Sequence, residues 1–455
     1  MDPLSEELPL IPEMARRKAE SAKRRVGERA LGVAARARRA RETALLLRAL
    51  IRPITPRRGS NAIRILVLPA NGFLEDMLEV AASDPRIELH ALSRTAVKAV
   101  ASAFLSPRVN DFTYGSPDAA DRQGMRAYRE FLVEVLLRMP SELRFHAVAS
   151  GNFAYYAEQE LAAAFEACGV PFVVLLKECL NTPGLERFWE RVYREWRRPF
   201  GGRKILVYNE GTRGLLLRSG VAPSERISVV GMPRLDRQHR DRSGGMSAAQ
   251  LLFLVFGPRT GLPDIPSSRR DLPSELRYTG WRDLARECHR AVLDVAVEAP
   301  ESRIIVKAKE VLAHQREVEE HYQGRRELPP NVEVISVGEV FEPLRRSRIV
   351  VGFKSTALLE AMAAGKAVMV PRFAEASDPA LADFLLDLGE YVEYPESASA
   401  FRASMLQHLR GQRTAPGAAE WAALARPVLE RWLGNADGRS AERARAELLE
   451  LSRVA

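Results

Sequence analysis

VVGFKSTALLEAMAAGKAVMV, residues 350–370, decides how this chain reads. It opens with an apolar run suited to a buried β-strand and turns through Ser355 and Thr356. A helix follows with Glu360 in its first turn or two, then Gly365, then a second apolar strand. The turn lacks the lysine and glycine spacing of a P-loop. It still sets two hydroxyls and several backbone N–H groups at a helix N-terminus, where dipole and unpaired donors favour an anion such as phosphate. Glu360, a turn further on, is within reach of a ribose. The stretch points to an enzyme that handles a nucleotide-linked donor.

The same alternation extends outward in both directions. Apolar strands are predicted at 63–70, 87–92, 145–152, 171–178, 204–211 and 226–233, with helices at 74–82, 120–139 and up to Cys168. A charged, Gly-containing break, RQHRDRSGGMSA at 237–248, interrupts the pattern. It restarts with strands at 251–258, 303–309, 332–336, 348–353 and 366–371 and helices at 282–298 and 340–346. Continuous apolar strands separated by helices mean a parallel sheet covered on both faces. The expected fold class is therefore α/β, with two parallel-sheet domains at 61–236 and 237–414. A basic helical arm and linker precede them at 1–60, and helices broken at GNADG follow at 415–455. Ligands of such sheets bind outside the C-terminal strand ends, so two domains facing each other make a cleft.

Composition narrows the function classes. The apolar fraction of 46% suits a globular chain, and no uncharged apolar run approaches the roughly 18–20 residues that span a bilayer. The opening MDPLSEELP is acidic and has no apolar core of a signal peptide, so a cytoplasmic location is expected. Cys168, Cys179 and Cys288 stand alone, and the seven histidines are scattered, so no metal site is expected. The net charge is +9, but residues 1–60 carry 15 Lys and Arg against 7 Asp and Glu, which leaves the rest at +1. A nucleic-acid partner would ask for a basic main groove, so none is expected. The arm fits two arrangements. Its arginines and the apolar tip ALLLRALI (44–51) could attach to an anionic membrane surface, or the tip could pack against the body.

Polar residues at strand exits supply the candidate site. In the second half these are Arg259 and Thr260, Lys307 and Lys309, and Ser355 and Thr356. In a parallel sheet all three exits share one edge, where two lysines, an arginine, two hydroxyls and a helix N-terminus make a diphosphate pocket. The alternatives are solvated strand-end lysines and a helix cap. In the first half, Glu178 and Glu210 are delivered by apolar strands and are candidates for the base that a transferase needs to deprotonate an acceptor hydroxyl. Asp236 reads as holding the interdomain turn. Asn71-Gly72, with Glu75 and Asp76, would face the same cleft, and capping is the simpler account of the two carboxylates.

STALLEAMAAGKAVMVP resembles the carboxy-terminal signature of GT-B glycosyltransferases, enzymes built from two facing Rossmann-like domains. ISVVGMPRLD and LVFGPRT resemble the domain junction of CDP-glycerol glycerophosphotransferase-like and surface-polysaccharide proteins. The resemblance covers about residues 61–410. It implies that Ser355 and Thr356 bind donor phosphates, that Glu360 binds the ribose or steadies its helix, and that Arg259 and Thr260 lie near the diphosphate. It also implies a metal-independent reaction with no cofactor beyond the nucleotide-sugar substrate, and a glycan or lipid-linked acceptor. One departure stands out. Glycerophosphotransferase-like enzymes usually carry a His-Pro pair where this chain has Lys307-Ala308-Lys309. A lysine neutralises a leaving phosphate but does not replace an imidazole acid near neutral pH. The expected activity is thus a nucleotide-sugar glycosyltransferase of surface-polysaccharide synthesis, peripheral at the membrane. A nucleotide-sugar 2-epimerase, a glycerophosphotransferase and a non-catalytic scaffold of the same fold are the alternatives.

Overall fold

A computed structural model describes residues 10–454 apart from 60, 71, 141–142, 197–198, 242–248, 263–278 and 324–326. The apolar runs become two sheets. The first comprises β1 (Arg52–Pro53), β2 (Ile63–Leu68), β3 (Ile87–Ala91), β4 (Ala147–Ser150), β5 (Phe172–Leu176), β6 (Lys204–Val207) and β7 (Ile227–Val229), in the order β1-β3-β2-β4-β5-β6-β7. The second comprises β8 (Gln250–Leu254), β9 (Arg303–Lys307), β10 (Val332–Ile335), β11 (Ile349–Val351) and β12 (Ala367–Met369), in the order β10-β9-β8-β11-β12. Every pair is parallel except β1 with β3. The α/β class and the two Rossmann-like sheets therefore stand as the sequence predicts.

The reason lies in burial on both faces. All residues of β4, β5, β8, β11 and β12 are buried. Each buried Val, Leu or Ile contributes about 1.5–3 kcal/mol, so such runs are stable only under helices on either side. Strand order reverses between β2 and β4 in the first sheet and between β8 and β11 in the second. Those reversals leave crevices at the C-terminal strand ends, where an open α/β sheet takes its ligand.

Two boundaries differ from the sequence reading. The arm is docked rather than free. Its helices, Leu10–Arg36 and Ala40–Leu50, pack on Arg94–Ala101 and Ala119–Leu137, with Leu31, Ala35, Ala44 and Leu47 in the first domain's core. Glu28 accepts a 2.6 Å hydrogen bond from the Ser93 hydroxyl. The expected linker at 52–60 supplies the antiparallel edge strand β1, and Ile54 N–H donates to the Leu89 carbonyl. Of the two arrangements open to the apolar tip, the structure has it packed on the body, although Leu45 stays 52% exposed.

The C-terminal helices are not a separate appendage either. Ser440–Val454 packs on Phe73–Ala82 and on Leu235–Asp241, back in the first domain. Asp236 receives its N-terminus: Oδ1 accepts from Ser440 N–H and Asn435 Nδ2, and Oδ2 from Ala441 N–H. Gly434 makes the crossing fit. It sits at φ 58, and a Cβ there would fall 1.8 Å from the Tyr208 carbonyl oxygen. Among the described residues no helix is long and apolar enough to cross a membrane.

Candidate functional site

The C-terminal edges of the two sheets enclose a cleft of about 860 Å³. Its second-domain wall is built by the exits of β8, β9 and β11, neighbours in the sheet. Of the predicted donor residues, Lys307, Lys309, Ser355, Thr356 and Glu360 line it. Arg259 and Thr260 do not. Past β8 the chain closes a tight turn in which the Thr260 hydroxyl accepts from Gly257 N–H at 3.0 Å and Thr260 N–H returns to the Gly257 carbonyl. The Thr260 carbonyl takes the Trp281 indole N–H at 3.1 Å. Thr260 is thus spent on holding the loop, and Gly261 and Leu262 reach the cleft in its place.

Ser355 caps the helix Thr356–Ala363, its hydroxyl accepting from Ala357 N–H at 3.3 Å. This capping fixes the helix N-terminus at the cleft wall. Lys307 is buried, and its ammonium donates to the carbonyls of Ala308 (2.9 Å) and Val337 (3.3 Å). It therefore braces the loop after β9. Lys309 keeps solvent contact, but both cleft walls crowd it. That crowding pushes its pKa down; Glu178 opposes the shift, while Lys177 and Arg234 add to it. Lys309 therefore sits among charges of the opposite domain.

Sequence reading passed over the lysine beside this cap. Lys354 has φ 49, a left-handed conformation that costs a non-glycine residue of order 1–3 kcal/mol. The bend turns its ammonium to the carbonyls of Gly261 (2.8 Å) and Phe384 (2.6 Å). Any Cβ on Gly261 would meet the Lys354 Cε at 2.5 Å, so only glycine lets the lysine cross. Burial, with Arg372 adding to it, pushes the Lys354 pKa down to about 7. Between there and the ordinary lysine value, the unfolded chain holds a proton that the folded one lacks. Stability should rise with pH across that window, by at most about 1.4 kcal/mol per pH unit. Denaturation curves at about pH 7 and about pH 9 should show this slope, and Lys354→Met should flatten it. An unchanged slope in the variant would assign the titration to another group.

The first-domain wall carries the carboxylates. Glu178, just past β5, lines the cleft with its side chain 59% exposed and 3.1 Å from the Lys177 ammonium. Glu210 is elsewhere. It opens the helix Glu210–Arg218 with its side chain 74% exposed and 3.5 Å from Arg213, outside the cleft lining. The exit of β6 turns into that helix at once, which points the carboxylate away. Asn71 lies outside the described residues. Glu75 lines the cleft, and its Oε2 is buried without a hydrogen-bond partner. Beside these polar groups stands an aromatic wall. Trp189 and Tyr193 stack at 5.5 Å, Trp196 meets Tyr193 edge-on at 5.6 Å, and all three line the cleft.

Arg234 joins the two walls. Its guanidinium Nη1 donates to Asp76 Oδ2 (2.8 Å), the Gly72 carbonyl (3.2 Å) and the Tyr208 oxygen (3.1 Å), and Nε donates to Glu360 (3.4 Å). Tyr208 in turn donates to Asp76. Asp76 and Glu360, from different domains, are 0% and 5% exposed, so Arg234 is a buried cation shared by two buried carboxylates. Asp76 thus serves this ion pair, beyond the capping read from its position. Glu360 spends Oε1 on the arginine. The signal for Arg234 was present in the sequence, as an arginine in the strand exit GMPRLD, yet nothing local names its partners.

No protein-family model matches the chain, and no curated protein matches it. Solved structures similar to it include the UDP-GlcNAc 2-epimerase of Neisseria meningitidis bound to UDP-GlcNAc (13% identity, 85% of this chain and 99% of that one, TM-score 0.45). Others are the UDP-GlcNAc 2-epimerase of Methanocaldococcus jannaschii (11%, 85% and 99%, TM-score 0.46) and a trehalose-6-phosphate structure from E. coli bound with UDP-2-fluoro glucose (12%, 86% and 99%, TM-score 0.45). With TM-scores below 0.5, these likenesses do not bear on the chemistry of this cleft.

Proposed function

We propose that the protein is a glycosyltransferase that takes a nucleotide-sugar donor and a glycan or lipid-linked acceptor in surface-polysaccharide synthesis. One observation carries this reading: Lys309 and a capped helix N-terminus stand on one wall of the cleft, and Glu178 faces them from the other. Cations and N–H dipoles fixed in a partly enclosed cleft stabilise a departing diphosphate without reorganising. Glu178 deprotonates the acceptor hydroxyl. The aromatic wall, with a buried Trp196 Nε1 that has no hydrogen-bond partner, suits the apolar face and hydroxyls of a sugar ring. An epimerase has no acceptor to place there, so the wall favours transfer. The arm's exposed arginines, among them Arg24, Arg25, Arg29 and Arg41, would hold the enzyme at an anionic membrane surface by charge alone.

A thermal-shift series with UDP, GDP, CMP, CDP and dTDP tests the donor site, since a ligand of the folded state raises the melting temperature by mass action. At least one nucleotide should stabilise the protein. Lys309→Ala should weaken that nucleotide roughly 10- to 100-fold in calorimetry, the loss expected for one charge-assisted hydrogen bond. No stabilisation by any of the five would leave the non-catalytic scaffold as the better reading.

A further inference from the structure

Seven histidines look scattered in sequence, yet the fold gathers two of them around a glutamate, outside the cleft lining. His289 lies on the helix Arg282–Glu298. Glu317 lies near the end of Leu312–Val318, and His321 follows one turn later in the π-helical segment Glu319–Gln323. One ligand atom from each falls within 4.8 Å of the others. His289 Nε2 stands 3.8 Å from Glu317 Oε2, and His321 Nε2 stands 3.5 Å from the same oxygen.

The His289 ring is 0% exposed, and its Nε2 has no hydrogen-bond partner. Its other nitrogen, Nδ1, is 2.8 Å from the Tyr322 hydroxyl. If Nδ1 donates there, Nε2 presents a bare lone pair to a carboxylate. If the proton is on Nε2 instead, it points at an oxygen too distant to accept it well. In the first case a buried nitrogen goes unsatisfied, and in the second its proton has only a poorly aligned contact with the Phe256 backbone, which the interior of a protein seldom tolerates. A cation among the three groups resolves both cases. Tetrahedral bonds of about 2.0–2.1 Å imply ligand atoms about 3.4 Å apart, close to the two spacings at Glu317; the imidazoles themselves are stacked, with centroids 4.4 Å apart and planes at 16°, so the less buried His321 ring has to rotate for both nitrogens to converge on one ion. The Nδ1–Tyr322 contact is the kind of outer partner that fixes a ligating imidazole's tautomer and orientation.

We propose that His289, Glu317 and His321 bind a zinc-class divalent metal ion, with water completing a tetrahedral shell. The ion ties the helix Arg282–Glu298 to the helix that follows the cleft loop at 308–311. That loop is already coupled to the same helix, since Lys309 N–H points to His314 Nδ1 at 3.4 Å. The site is thus a staple behind the donor wall. It stands whether or not the cleft takes a nucleotide-sugar.

Untagged full-length protein, stripped with a chelator, should bind one zinc ion per chain in competition with a chromophoric chelator, and should melt at a higher temperature once loaded. Cobalt in its place should give the intense visible bands of a tetrahedral ion. Glu317→Gln, at a buried position, and His321→Ala, at the partly open one, should each weaken zinc roughly 100-fold or more. Unaltered zinc affinity in both variants, or no binding of one zinc per chain, would overturn the site and leave His289 as a neutral core imidazole on Tyr322.

Discussion

Arg234→Met should cost about 3–5 kcal/mol of stability, the loss expected when one member of a buried ion pair is removed. Methionine fills much of the space, so lost packing contributes little. The damage is electrostatic, because Asp76 and Glu360 remain buried and lose the charge between them. Burial already pushes the Asp76 pKa upward against the pull of Arg234 and Tyr208. Without the arginine, Asp76 would take up a proton near neutral pH, and the variant would regain stability as pH falls. Urea denaturation of the parent, Arg234→Met and the double variant Arg234→Met/Asp76→Asn checks this. The double variant should recover part of the loss, since it carries one unpaired carboxylate fewer. A single variant within about 1 kcal/mol of the parent would show that the buried cluster is not what locks the walls together.

Glu178→Gln should lower turnover by about 10²- to 10⁴-fold, the contribution of a positioned general base, with nucleotide affinity nearly unchanged. The amide keeps the shape and removes the proton acceptor. Because the variant also removes the charge facing Lys309, any change in nucleotide binding should be toward tighter binding of the anion. Glu75→Gln is the necessary companion, since Glu75 has a buried, unpartnered oxygen in the same cleft. Normal turnover in Glu178→Gln with collapse in Glu75→Gln would transfer the role. Normal turnover in both would remove the carboxylate base from the mechanism.

What the sequence disclosed and what it hid divide along one physical line. Strands were legible because burial on both faces demands unbroken apolar runs, as in FVVLL at 172–176 and LLFL at 251–254. The cleft edge followed, because parallel strands bring their exits together. Side-chain direction after an exit did not follow. Thr260 turns inward to hold a loop, Glu210 turns outward at a helix start, and Lys354 reaches its partners through a left-handed backbone. Each outcome depends on one or two dihedral angles that composition does not set. Pairings between distant segments were hidden for a different reason. Arg234 meets Asp76 across 158 residues, and His289 meets Glu317 across 28, so no local pattern couples them. The arm's charge was plain, but whether its apolar tip met the protein or a bilayer depended on a groove made by residues 94–137.

The return of the last helix to the first sheet bears on how the chain is made. Arg445 donates to the Ser83 carbonyl at 2.8 Å, Lys204 pairs with Glu447, and Arg443 donates to the Val230 carbonyl at 3.0 Å. These contacts close the surface of a domain whose last strand, β7, leaves the ribosome some 210 residues earlier. At roughly 5–20 residues per second, the nascent domain waits about 10–40 s for its final helix. During that wait the Tyr208–Gly231 surface is uncovered, and the whole second domain is synthesised beside it. The amino-terminal domain is therefore finished only after the second domain has been made, and a ribosome that stalls before residues 440–454 leaves the first domain unsealed.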